Sequence, residues 1–146
     1  MLTSQQCLQK WGAPTPTVEW ESKLLVSWDV PQSINDAIPA LPNRIYTNKL
    51  MVKPLEQAFR NLIAREYHHE LKTWDGSYNI RRKRGLSSQS LHSWGVAIDL
   101  NAAWNQLGQT PTLSEGFAKC FTDAGFDWGG TWARKDGMHF QLKSID

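Results

Sequence analysis

Cysteine is scarce. The two in 146 residues, Cys7 and Cys120, are too few and too far apart for the disulfide framework of a small secreted domain or for a CxxC metal site, and both are expected to be ordinary buried or free thiols. No apolar stretch approaches the length that crosses a bilayer. The opening Met1-Leu2-Thr3-Ser4-Gln5-Gln6 lacks the basic and apolar regions of a secretory signal. The expectation is a product made in the cytoplasm without a signal peptide and without stable membrane association. Excess charge of one sign is missing too: 16 Lys+Arg against 14 Asp+Glu leave a net charge of +2, which argues against a strongly basic polyanion binder. A content of 40% hydrophobic and 21% charged residues excludes wholesale disorder. Tyrosine is rare, at three, but there are eight tryptophans, so core and pockets draw on large flat side chains. The length suits a single domain, 1–146, because two would each be marginal.

No repeat or low-complexity tract is present. Thr3 can cap a helix through about Lys10 that Gly12 ends. Prolines 14, 16, 31, 39 and 42 punctuate an irregular N-terminal segment, 1–50, in which the stretch from Trp28 to Tyr46 reads as loop. The clearest helix begins at Pro54 and sets Leu55, Ala58, Phe59, Leu62 and Ile63 on one face. Ser114 caps another that runs to about Ala124, with Phe117, Cys120 and Phe121 on its apolar side and Gly125 as its stop. Val96–Leu100 and Met138–Leu142 alternate with period two and read as strands. Ala97 and Asp99 oppose Val96, Ile98 and Leu100, while His139 and Gln141 oppose Met138, Phe140 and Leu142. In a shared sheet, Asp99 and His139 project from one face. The expected fold class is α+β, a small antiparallel sheet with packed helices.

Only four histidines exist. His68 and His69 are adjacent, cannot readily share a metal, and read as surface or capping residues. His92 and His139 lie in denser patterns. In Ser90-Leu91-His92-Ser93-Trp94-Gly95-Val96-Ala97-Ile98-Asp99, Gly95 allows a bend that returns the imidazole and the carboxylate to one point. The second pattern is Asp136-Gly137-Met138-His139. Two imidazoles and one carboxylate are ligand types of a catalytic Zn²⁺ that keeps a position for water, whose pKa it brings to about 7. Asp136 can take a proton from that water and deliver it to the leaving amine of an amide. Spacing alone leaves open two core histidines and two surface aspartates.

Ser90-x-His92-x-x-Gly95-x-Ala97-x-Asp99 followed by Asp136-x-x-His139 resembles the signature of the zinc D-alanyl-D-alanine carboxypeptidase and L-alanyl-D-glutamate endopeptidase family, in its bacteriophage cell-wall lysin branch. The resemblance spans the motif-bearing half, 74–142. It takes in Gly76-Ser77-Tyr78-Asn79, Arg81, Arg84-Gly85 and Gly125-Phe126-x-Trp128-Gly129-Gly130-x-Trp132. It implies one Zn²⁺ on His92, Asp99 and His139. Asp136 would be the general base, where many members carry Glu, and Arg81 the arginine that binds a substrate carbonyl or carboxylate. Ser90 would be a hydrogen-bond donor beside the site. The implied activity is zinc-dependent hydrolysis of the peptidoglycan stem peptide, by an L-Ala–D-Glu endopeptidase rather than a D-Ala-D-Ala carboxypeptidase. Such an endolysin is expected to be a monomer that meets the cell wall after release or delivery by other proteins.

Arg81-Arg82-Lys83-Arg84 is a basic run of the kind that binds phosphate backbones, but no wider basic context surrounds it, and no nucleic-acid partner is expected. Arg81 is expected to face the site and Arg84 to support it, with Arg82 and Lys83 solvated. Ser90, His92 and Asp99 are the residue types of a hydrolase triad, yet no G-x-S-x-G elbow surrounds Ser90. Cys120, on an apolar helix face, is a poor nucleophile. Trp94 and Trp132 are expected to line the cleft, and Gly129-Gly130 to let the chain approach substrate or zinc closely. The reading from another class is a non-catalytic, zinc-bearing module that recognises the cell wall. An intact Asp136 speaks against it.

Overall fold

The two period-two stretches become neighbouring strands, and their sheet sets the architecture. A computed structural model describes residues 1–146. Strands β1 (Leu25–Asp29) and β2 (Arg44–Asn48) form a two-stranded antiparallel sheet. A second sheet has the order β3 (Trp74–Gly76), β4 (Ala97–Leu100), β6 (His139–Leu142), β5 (Phe126–Trp128), with every neighbour antiparallel. Helices α1 (Ser4–Trp11), α2 (Val18–Leu24), α3 (Gln32–Ala37), α4 (Val52–Ala64) and α5 (Glu115–Thr122) complete an α+β fold.

The helix boundaries follow their capping chemistry. Thr3 accepts from the Gln6 backbone N–H while the Gln6 side chain accepts from the Thr3 N–H, a reciprocal box that starts α1. Helix α4 begins two residues before Pro54, which therefore sits in the first turn, where an N–H has no intrahelical partner to lose. Ser114 Oγ accepts from Phe117 N and starts α5, which ends at Thr122, short of Ala124.

Residues 1–50 are more regular than the prolines suggest. The segment holds α1, α2, β1, α3 and β2, and the stretch from Trp28 to Tyr46 contains the end of β1, all of α3 and the start of β2. The prolines fall in the connections: 14 and 16 precede α2, 31 precedes α3, and 39 and 42 precede β2. At such positions the missing N–H costs no ladder or helix bond.

Helices α4 and α5 cover one face of the four-stranded sheet. Ile98, Leu100, Phe140 and Leu142 are buried there with Phe59, Leu62, Phe117 and Phe121, and the Phe121 and Phe140 rings are 4.6 Å apart. The opposite face carries Ala97, Asp99, His139 and Gln141. Both cysteines are buried and free, and burial pushes the Cys7 thiol up to about 12. No helix is long and apolar enough to cross a membrane.

Candidate metal centre

Strand pairing builds two thirds of the site. β4 and β6 align Asp99 directly opposite His139, and cross-strand partners project from the same face. His92 comes from a 3-10 turn, Leu91–Trp94, started by Ser90 Oγ accepting from His92 N at 3.3 Å. Gly95 ends that turn at φ +67°, and a Cβ there would lie 2.9 Å from both Asn48 N and Leu25 Cδ2. Glycine is thus required for the left-handed bend and for the close approach of β2. Asn48 N and Thr47 Oγ1 donate to the Gly95 carbonyl at 3.1 and 3.0 Å, and Asn48 Nδ2 donates to that of Trp94 at 2.9 Å.

The three side chains converge. His92 Nε2 is 3.2 Å from Asp99 Oδ2, His139 Nδ1 is 3.5 Å from Asp99 Oδ1, and one potential ligand atom from each lies within 4.8 Å of the others. His92 Nδ1 meets the Ser77 carbonyl at 2.7 Å. A carbonyl only accepts, so Nδ1 carries the proton and Nε2 the lone pair. That buried Nε2 has no hydrogen-bond partner, because its approach to Asp99 is not aligned as one. His139 Nε2 donates to Gln141 Oε1 at 3.0 Å, and Gln141 Nε2 donates in turn to the Leu2 carbonyl at 3.3 Å. The chain from Leu2 through Gln141 fixes the His139 tautomer with its lone pair on Nδ1. Two imidazoles, each held by its other nitrogen, and one carboxylate suit a zinc ion, and the unpartnered His92 Nε2 is the direct sign of the fit.

The two aspartates are pushed apart electrostatically. Burial works against ionisation of Asp99, but the contacts and charges of His139 and His92 outweigh it, and its carboxyl is held well below the usual range. Burial raises the Asp136 carboxyl, with the negative charge of Asp99 adding to the effect. Burial lowers His139, but Asp99 and Asp136 overcome it and the net shift is upward.

Asp136 lines the same cleft as Asp99 and His139. Its backbone is clamped: Asp136 N donates to Gly129 O at 2.9 Å, and its own carbonyl accepts from His139 N at 3.1 Å. A Cβ on Gly129 would collide with the Asp136 carbonyl oxygen, so the glycine permits this approach. Arg81 lines the cleft with a guanidinium nitrogen 4.0 Å from Asp99. Its main chain is pinned from both sides by Ser93 Oγ, which accepts from Arg81 N and donates to Arg81 O.

Arg84, Ser90 and Trp132 also line the cleft, with the Trp132 ring 5.4 Å from that of His139. Trp94 does not. It is fully buried, with Nε1 donating to the Gly12 carbonyl at 2.9 Å, so it belongs to the core. Lys83, expected in solvent, is half-buried on the cleft wall, whereas Arg82 is exposed outside it. His68 and His69 form a separate turn and take no part in the cluster. Sequence reasoning gave no site role to Ser77, Gln141 or Arg134. Gln141 carried a usable signal, since two positions along a strand from His139 means the same face.

The family model described as D-alanyl-D-alanine carboxypeptidase matches residues 84–142. This is less than half of the chain; it contains His92, Asp99, Asp136 and His139 and stops short of Arg81. No curated protein and no solved structure matches the chain. Over that stretch the chain is similar to a peptidase family, and the convergent His-Asp-His cluster falls inside it.

Proposed function

We propose that the protein is a zinc-dependent hydrolase of the peptidoglycan stem peptide, an L-Ala–D-Glu endopeptidase of the phage-lysin type. One observation carries the reading: His92, Asp99 and His139 converge, with each ring's outer nitrogen engaged as a donor and its inner nitrogen left for a cation. His92 Nε2, His139 Nδ1 and the Asp99 carboxylate would hold the ion. Bound there, zinc supplies Lewis acidity, which acidifies water and polarises a carbonyl.

The two carboxylates divide the remaining work. Asp99, held below the ordinary range, stays ionised and keeps its place between the imidazoles. Asp136, raised by burial, is the better proton carrier; it takes a proton from the attacking water and returns it to the leaving amine. Arg81, anchored by Ser93 and close to Asp99, donates to the scissile carbonyl oxygen as negative charge develops. Trp132 supplies an apolar wall beside His139. The enzyme works as a monomer on the cell wall, after release or delivery by other proteins.

Cleavage of D-Ala-D-Ala as a carboxypeptidase is the second reading, favoured by the description of the matched family. Mass spectrometry of peptides released from peptidoglycan identifies the bond cut. Chelation is expected to abolish release and added zinc to restore it. Asp136→Ala is expected to keep its zinc and lose a factor of about 10²–10⁴ in rate. An Asp136→Ala protein that holds zinc and cleaves at the parental rate overturns the assigned mechanism. If the parent releases nothing, a wall-binding module is the better description.

A further inference from the structure

The cleft holds more positive charge than Arg81 accounts for. Lys83, Arg84 and Arg134 line it as well, and its carboxylates are Asp99 and Asp136. Asp99 is already engaged by two imidazoles and Arg81, whereas none of the three further cations forms a salt bridge. Arg134 Nη1 donates to the Arg84 carbonyl at 3.0 Å, its one side-chain hydrogen bond. That bond ties the rim bearing Arg84 to the loop bearing Asp136 and leaves most of the guanidinium fork free for a planar anion. Leu86, Leu107 and Trp132 line the same cleft. In a chain of net charge +2, three unpaired cations beside one cleft mark a place for an anion. The apolar residues that share the cleft with them suit a peptide better than a phosphate backbone.

Resting on the peptidase reading above, we propose that Lys83, Arg84 and Arg134 form a second carboxylate subsite, separate from Arg81. The subsite selects peptides that carry a free carboxylate away from the reacting carbonyl. Arg134 is its specificity-determining residue, because its orientation is fixed by the Arg84 carbonyl, and Lys83 and Arg84 line the same cleft.

The test uses a synthetic peptidoglycan stem peptide and a series in which each free carboxylate is amidated in turn. The zinc-loaded parent and its Arg134→Ala, Arg134→Lys and Arg84→Ala variants are assayed for kcat and KM, and the uncut peptides are titrated calorimetrically. For the parent, amidation at one position is expected to raise KM about tenfold with kcat little changed, and added salt to shrink that difference. Arg134→Ala should raise KM for the free acid alone and so erase the difference, with Arg134→Lys keeping part of it. The subsite is overturned if no single amidation matters to the parent, if the preference survives in both alanine variants, or if Arg134→Ala weakens acid and amide equally. If no peptide is cut, the peptidase reading falls. Calorimetry on the same series then decides the subsite, upheld by an Arg134-dependent preference and overturned by its absence.

Discussion

β4 and β6 bring Asp99 and His139 face to face, whereas no residue of β1 or β2 lines the cleft. Yet Thr47 and Asn48, at the end of β2, hold the carbonyls of Trp94 and Gly95 and so fix the turn that presents His92. One sheet carries two residues of the candidate metal cluster and the other carries none, but the third, His92, depends on the second sheet. The contrast separates two demands of a metal centre: donors of the right type, which a local motif can encode, and rigidity, which arrives from residues without chemistry of their own.

The contrast breaks most sharply in the ligand sheet. Asp99→Ala should abolish stoichiometric zinc and bring peptide release to background, read by elemental analysis and mass spectrometry, while far-UV circular dichroism stays that of the parent. The second sheet should show a smaller and mixed effect. Asn48→Ala leaves the buried Trp94 carbonyl without its partner, at a cost of about 1–3 kcal/mol in stability, and loosens the His92 turn enough to weaken zinc binding roughly tenfold. Unchanged zinc affinity in a destabilised Asn48→Ala protein would reduce β2 to a packing element.

A pH series sharpens the comparison within the ligand sheet. Burial raises Asp136 in the folded protein, so the folded state holds that proton more tightly than the unfolded chain. The resulting stability is complete below the ordinary carboxylate pKa and is lost as pH rises through the raised value. Zinc-free Asp136→Asn should therefore melt above the zinc-free parent at neutral pH and lose the advantage in acid. The smallest effect is expected outside both sheets: His69→Ala should leave zinc content and cleavage unchanged, since the His68–His69 turn lies apart from the cluster.

The ligand sheet was legible because alternation is a short-range signal. Val96 to Leu100 and Met138 to Leu142 declared their faces, and Asp99 and His139 fell on the same side once paired. Gly95 was legible as a bend, but not the backbone of β2 that presses against it. Thr3 and Gly12 mark the first helix in the sequence, but the prolines between Trp28 and Tyr46 suggest loop where the chain forms α3 and the ends of β1 and β2. α3 has six residues, too few for a periodic signature. Trp94, expected at the cleft, has as its indole partner Gly12, 82 positions earlier, which no local pattern reveals. Lys83 and Arg134 reach the cleft through loop placement, which no spacing rule predicts.

The hydrogen bond from Gln141 to the Leu2 carbonyl spans 139 positions, and Gln141 orients His139. No contiguous fragment shorter than residues 2–141 can hold both ends of that tie. Contacts of such separation carry a large chain-closure cost before they are formed. Capture of an ion at the proposed centre with full affinity would therefore require the completed fold. In the proposed centre, zinc would be a seal set on a finished molecule, unlike the small zinc domains in which the metal is the template for folding.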